Sequence, residues 1–320
     1  MKPLFISSLA VSLTLLAACT SEAGYPEAGT EDPAAASGSV KVDLRLRDDP
    51  EGAYRSVDEF TVPATHEIGD GMFPYEGIGW ENGLVGYRLY LDGRLVSDIF
   101  GKQGADPVLG QIGELGSYHD LAPWGMDVLK VGPSLGIGGL GIMRGDAPAQ
   151  FGSVPELSAR ISESGGDAGR FTITAGGIDV GEGASGGFTA DYSIGAQSPL
   201  TRVSVNASDT LPLATGIVMH DGAEFIRSAG ASSGDWQYIA TWGDTQSENG
   251  DGLGMALFYR ADQAGYGGLA NETHFVTFDD AEFEYGFLAA WALDPMAITD
   301  RDGFVALLEE ELTKLEGSAQ

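Results

Sequence analysis

Tyr87-Arg88-Leu89-Tyr90-Leu91-Asp92-Gly93-Arg94-Leu95-Val96-Ser97-Asp98-Ile99-Phe100 is two β-strand patterns joined through Asp92-Gly93. Apolar and polar residues alternate on both sides of the dipeptide, and Asp-Gly is among the strongest short-range hairpin signals. The same two-residue period recurs along the chain. It is seen in Val40–Leu46, Phe171–Thr174, Gly187–Ile194 and Leu200–Val205, and later runs at Gly216–His220, Trp236–Trp242, Gly254–Tyr259 and Thr273–Phe278 also read as strands. With 48 glycines punctuating these runs, the pattern predicts many short strands joined by turns. The expected fold is mainly β, a large antiparallel sandwich or barrel-like assembly over residues 40–320. Two segments have helical spacing: Asp300–Leu315, with an acidic start and Gly317 after it, and a shorter one near Glu284–Ala290. No repeat of solenoid or propeller length is visible.

The amino terminus reads as an address. Lys2 is followed by an apolar run from Leu4 to Ala18, too short to span a bilayer comfortably, and Leu16-Ala17-Ala18 precede the chain's single cysteine, Cys19. Small residues before a lone cysteine resemble the lipobox of bacterial lipoproteins, so residues 1–19 are expected to be a signal peptide ending at a lipidated Cys19. An ordinary signal peptide with a chance cysteine is the alternative. Residues 20–39, rich in Ala, Gly, Ser, Glu and Pro, read as a flexible tether. The expected location is exported, outer-membrane or periplasm-facing, with the lipid anchor as the only membrane contact. With Cys19 acylated no cysteine remains, so burial and not disulfides must stabilise the fold.

A net charge of -30 argues against nucleic-acid binding. An anionic substrate would need the 17 Lys and Arg residues gathered locally, and four of them, Arg88, Arg94, Lys102 and Lys130, fall between positions 86 and 130. The bland reading is ordinary charge at strand ends. The same region holds Tyr118-His119-Asp120 in a loop, followed by Trp124-Gly125-Met126-Asp127. An imidazole titrates near neutrality and moves protons without an extreme environment, although many loop histidines are merely solvated. His66, His220 and His274 carry similar or lower weight, His274 being placed at a sheet edge.

Other chemistries find less support. The glycines of residues 128–141 are not followed by Gly-Lys-Ser/Thr or by a helix pattern, as a phosphate loop requires. There is no zinc spacing, no calcium-loop motif and no Gly-x-Ser-x-Gly elbow. Asp244, Glu248, Asp251 and the intervening glycine could cradle calcium, but an acidic turn is the favoured account. No metal and no cofactor are expected. Trp80, Trp124, Trp236 and Trp242 offer faces on which sugars stack, though core packing accounts for most tryptophans.

The blocks Tyr87–Asp92, Asp98–Lys102, Tyr118–Asp120, Trp124–Gly132, Trp236–Trp242 and Gly250–Ala256 resemble, in order and spacing, a domain-of-unknown-function family (DUF4861 type). These are exported bacterial proteins from gene clusters that degrade pectin and ulvan. The resemblance extends from about Val40 to the end, and implies a β sandwich similar to the galactose mutarotases. It also implies the activity of an ulvan-oligosaccharide dehydratase, which eliminates water to leave a 4,5-unsaturated uronate at the non-reducing end. An acidic oligosaccharide is then the expected partner. From the chemistry of that reaction, His119 is the candidate base and Tyr118 or Tyr87 the acid. Arg88 is the carboxylate clamp, Lys102 and Lys130 supply further positive charge, Trp124 is a stacking floor, and Asp120 and Asp127 orient the others. The rivals are a non-catalytic glycan-binding lipoprotein and a polysaccharide lyase, glycoside hydrolase or mutarotase on the same fold.

Overall fold

Nine antiparallel strands form the largest sheet of the protein, seen in a computed structural model that describes residues 39–318 except 115, 210 and 231–234. The expected signal peptide, Cys19 and residues 20–38 of the expected tether lie outside the described residues. Across the sheet the order is Glu224–Arg227, Trp236–Gly243, Leu253–Arg260, Glu282–Trp291, Thr201–Ala207, Ala184–Gly195, Ala168–Gly181, Glu156–Gly165 and Glu59–Val62. The described residues cluster as one unit.

Two five-stranded sheets pack on one face of this large sheet. The first, here the small sheet, runs Lys41–Asp43, Gly77–Glu81, Gly86–Tyr90, Ser97–Lys102 and Gly125–Asp127. Its Trp80 stands 4.9 Å from Phe171, 5.8 Å from Tyr192 and 6.3 Å from Phe287, all on the large sheet. The second runs Ala147–Ala149, Ile137–Arg144, Leu213–Val218, Thr273–Phe278 and Ala264–Ala270, and is tied to the large sheet by Tyr285 Oη donating to the Gly138 carbonyl. A two-stranded ribbon, Arg45–Leu46 with Arg55–Ser56, completes the set, and every strand pair is antiparallel. The fold is mainly β, as the two-residue period predicts.

One helix, α1 (Arg301–Ser318), packs on the opposite face of the large sheet. Asp300 Oδ1 accepts the Gly303 N–H at its start, the capping arrangement that satisfies an otherwise orphaned donor. Phe304, Leu308 and Leu315 are buried against Trp236, Tyr238, Ala256, Phe258 and Leu288. The other helical expectation is corrected. Residues 284–290 are strand, within Glu282–Trp291, not helix. Phe283, Tyr285, Phe287 and Ala289 face the main core, while Leu288 and Ala290 face α1. A strand buried on both faces reads as a continuous apolar run, and such a run mimics a buried helix.

The predicted strand Val40–Leu46 is divided between the small sheet and the ribbon. The hairpin at Asp92-Gly93 forms, with Gly86–Tyr90 paired to Ser97–Lys102, but its connection is six residues long. Asp92 Oδ1 accepts the Arg94 N–H within it, and Leu95 takes a left-handed φ of 51°. His274 is not on an edge strand. Thr273–Phe278 lies between two others, and the ring stacks on Phe225 at 3.8 Å. Burial pushes its pKa down to about 4.

Candidate functional site

Alternation sorts the small sheet into two faces. Tyr87, Leu89, Ile99 and Met126 point into the main core. Arg88, Tyr90, Asp98, Phe100, Lys102 and Asp127 therefore share the other face, where Arg88 lies directly opposite Asp98 and Phe100 opposite Asp127. That face is covered by residues 103–124, whose Val108, Leu109 and Ile112 are buried with Tyr75 and Phe100, with Tyr118 and Trp124 packed around them.

Under this cover the charges neutralise one another. Lys102 Nζ sits 2.7 Å from Glu81 and 2.6 Å from the Asn82 carbonyl, and both charged side chains are fully buried. Glu81 also accepts the N–H groups of Val108 and Leu109. Arg45 pairs with Asp43 at 2.9 Å and donates to the Leu109 and Ile112 carbonyls. Arg88 Nη2 lies 2.6 Å from each of Tyr90 Oη, Asp98 Oδ2 and Asp127 Oδ2.

This last cluster reaches the surface through His119. Asp127 Oδ2 is 3.3 Å from His119 Nδ1, with the carboxylate buried and the imidazole 66% exposed. The backbone helps fix the pair, since the Asp127 N–H donates to the Tyr118 carbonyl. The contact with Asp127 raises the His119 pKa above its ordinary 6.5. With Nδ1 turned to a carboxylate, Nε2 is the atom open to a ligand. Tyr118 lies against the same imidazole, ring centroids 4.3 Å apart, and burial raises its phenol pKa, so the hydroxyl keeps its proton. Deeper in, Asp98 is pushed up to about 6 by burial and by Asp127.

Beside Tyr118 opens a cavity of about 200 Å³ lined also by Tyr54, His66, Asp70, Phe73, Glu76 and Asp92. It adjoins a second of about 350 Å³ through the shared residues His66 and Asp92, and a third of about 230 Å³ through Asp70 and Gly71. The three cavities thus lie side by side, sharing walls, and are called the groove below. Arg94 crosses its wall, bonded to Asp92 and Glu76 and lying 3.8 Å over the Tyr90 ring. Glu76 itself holds a left-handed φ of 67°, a strained conformation of the kind that concentrates at functional sites. A broader depression of about 450 Å³ on the large sheet, lined by Asp191, Glu282 and Glu284, contains no histidine.

The structure brings Tyr118, His119, Arg88 and Asp127 together, with Trp124 nearby across Phe100 at 6.3 Å. Asp120 is exposed in the same loop. Three expected residues are elsewhere. Tyr87 is fully buried, its hydroxyl donating to the Pro199 carbonyl and accepting the Ala289 N–H, and so cannot reach a ligand. Lys102 is enclosed with Glu81. Lys130 pairs with Glu248 on the surface, its carbonyl bonded to His220. Arg88 is in the cluster but is 2% exposed and already held by two carboxylates, so it positions Asp127 and does not stand open as a clamp. Trp80 and Trp236 are core residues, and Asp251 accepts from Trp291 and Ser247. Among the described residues no group of acids and histidines is placed to hold a metal ion.

Sequence reasoning passed over Asp98, Tyr90 and Arg47. Arg47 lines the third cavity, lies 4.7 Å over Tyr54, donates to the Gly71 carbonyl, and has no ion-pair partner among the described residues. Arg88 and Asp98 meet only in the register set by the six-residue connection, since a two-residue turn at Asp92-Gly93 places Arg88 opposite Ser97, so the sequence alone did not announce the pair.

Fold and site together define a mainly β protein of stacked antiparallel sheets. Its charged outer face presents a histidine–carboxylate pair beside the groove. The chain belongs to the family described as Domain of unknown function (DUF4861), whose model matches residues 21–319. No match is found among curated proteins.

Proposed function

We propose that the protein is a carbon–oxygen lyase, a dehydratase that forms a 4,5-unsaturated uronate at the non-reducing end of acidic oligosaccharides such as those from ulvan or pectin. The observation that carries the reading is the His119–Asp127 pair at the surface, set against the protonated phenol of Tyr118 at the mouth of a groove. In this reading His119 Nε2 takes the C5 proton and the electron pair moves into the C4–C5 bond. The C4 hydroxyl accepts a proton from Tyr118 and leaves as water. Asp127 holds the imidazole and stabilises its charged form, and Arg88 holds Asp127. Arg47, lining the third cavity with no ion-pair partner among the described residues, is more available than Arg88 to meet the uronate carboxylate.

The same groove supports a second reading as a glycan-binding surface without turnover, since the aromatic residues Tyr54 and Tyr118 line its first cavity. Incubation with ulvan- and pectin-derived oligosaccharides distinguishes the two. A rise in the ultraviolet absorbance of a conjugated enol ether, without shortening of the chain, is the expected result. A rise with shortening means a polysaccharide lyase, and shortening alone means a hydrolase. Binding without either leaves the second reading.

A further inference from the structure

The groove contains a second imidazole–carboxylate pair. His66 Nδ1 lies 2.7 Å from Asp70 Oδ2, and the imidazole is 5% exposed, with the Phe73 ring edge-on at 5.3 Å. Asp70 is itself pinned, accepting the Glu67 and Met72 N–H groups. A carboxylate so held places the imidazole proton on Nδ1, which leaves Nε2 as a bare acceptor on the neutral ring.

Nε2 is buried and has no hydrogen-bond partner among the described residues. A buried polar atom left unmatched costs about 1–3 kcal/mol, so its persistence calls for a reason. Its place supplies one. His66 is a lining residue of both the 200 Å³ and the 350 Å³ cavities, so it stands between them. No ion pair other than Asp70 engages the ring among the described residues.

We infer that His66 is a ligand-contacting residue at the joint of one continuous groove, its Nε2 accepting a hydrogen bond from a saccharide hydroxyl, so that consecutive sugar units lie in the cavities on either side. The inference rests on the reading of the groove as an oligosaccharide site and deepens it. Length of ligand then matters: a chain crossing the joint meets His66, whereas a single sugar in one cavity need not.

The test is calorimetric binding of galacturonate mono- and trisaccharides to the full protein in a His119→Ala background, which prevents turnover. The trisaccharide is expected to bind at least about tenfold tighter than the monosaccharide. His66→Asn keeps a group near Asp70 but loses the Nε2 position, and should remove most of that advantage. His66→Gln returns a polar group to the Nε2 position and should restore binding to within about threefold. The His66 Cε1 resonance of histidine-labelled protein should shift on adding trisaccharide, a readout that needs no substitution. If the trisaccharide binds, both variants bind it equally well and the resonance stays still, the role of His66 is overturned while the groove reading survives. If neither sugar binds, the groove reading itself fails, and this inference with it.

Discussion

Asp127 stands between Arg88 and His119 with one oxygen. Its Oδ2 meets Arg88 at 2.6 Å and His119 at 3.3 Å, while Oδ1 is buried without a partner among the described residues. The charge of Asp127 therefore reaches the surface through His119 alone. A base works in its neutral form, so the rate should climb as pH rises through the His119 pKa, above the ordinary 6.5. Asp127→Asn removes the charge that raises it, and the acidic limb of kcat/KM should move to lower pH. The rate at the optimum should fall on the order of 10²-fold or more, since a positioned catalytic group loses its orienter. Tyr118→Phe should lower kcat with KM nearly unchanged, because the ring remains and only the proton donor is lost. Equal activity in both variants across the pH range would remove the pair from the mechanism.

Residues 103–124 hold the site together as an element. They return to the sheet at Gly125, whose φ of 133° and place beside the Gly101 carbonyl leave no room for a side chain: an added Cβ would lie 1.8 Å from that oxygen. Gly125→Ala should cost more than about 3 kcal/mol, read as a lowered denaturation midpoint. Lys102→Met should cost a similar ~3–5 kcal/mol by leaving Glu81 charged, buried and without its cation. These two residues also show what the sequence carried. Alternation at Tyr87-Arg88-Leu89-Tyr90 correctly assigns side chains to faces, because pleat geometry is local. It does not reveal that the polar face is covered. Arg88 and Lys102 look solvent-facing by pattern, yet their partners Asp98 and Glu81 are 10 and 21 positions away and meet them only through strand pairing. The loop that shields them has no regular period to announce it. His119, by contrast, was legible as a loop histidine in a polar, aromatic stretch, and its partner Asp127 lay only eight residues on.

At the scale of the whole molecule, a net charge of -30 acts on both stability and encounter. Asp98 and Asp294 are pushed up to about 6 and about 7 by burial. An acid whose pKa is higher folded than unfolded binds more protons when folded, so its stabilising contribution is full below about pH 4 and is lost as pH rises through 6 to 7. Each shift corresponds to on the order of 3 kcal/mol. Relief of acidic self-repulsion acts in the same direction. The denaturation midpoint should therefore be higher at pH 5.5 than at pH 8. Asp294→Asn should flatten that dependence, and an unchanged slope would show that Asp294 is ionised at no unusual cost.

The same charge opposes a polyanionic ligand at a distance, while the groove must attract it nearby. Its cations are few: Arg47 without an ion pair among the described residues, Arg94 shared between Asp92 and Glu76, and His119 when protonated. Long-range repulsion is screened over about 10 Å at 0.1 M salt, whereas contacts in a half-buried groove are screened less. Raising salt from about 0.02 M to about 0.15 M should then speed association of a uronate oligosaccharide, with kcat/KM increasing or holding steady. Arg47→Ala should raise KM for uronate oligosaccharides on the order of tenfold, and Arg47→Lys should recover only part of it, since an ammonium does not reproduce a two-pronged carboxylate contact. Stopped-flow association at several salt concentrations measures the first effect. A rate that falls steadily with salt would mean that attraction already dominates at long range, and would place the cationic entry somewhere other than this groove.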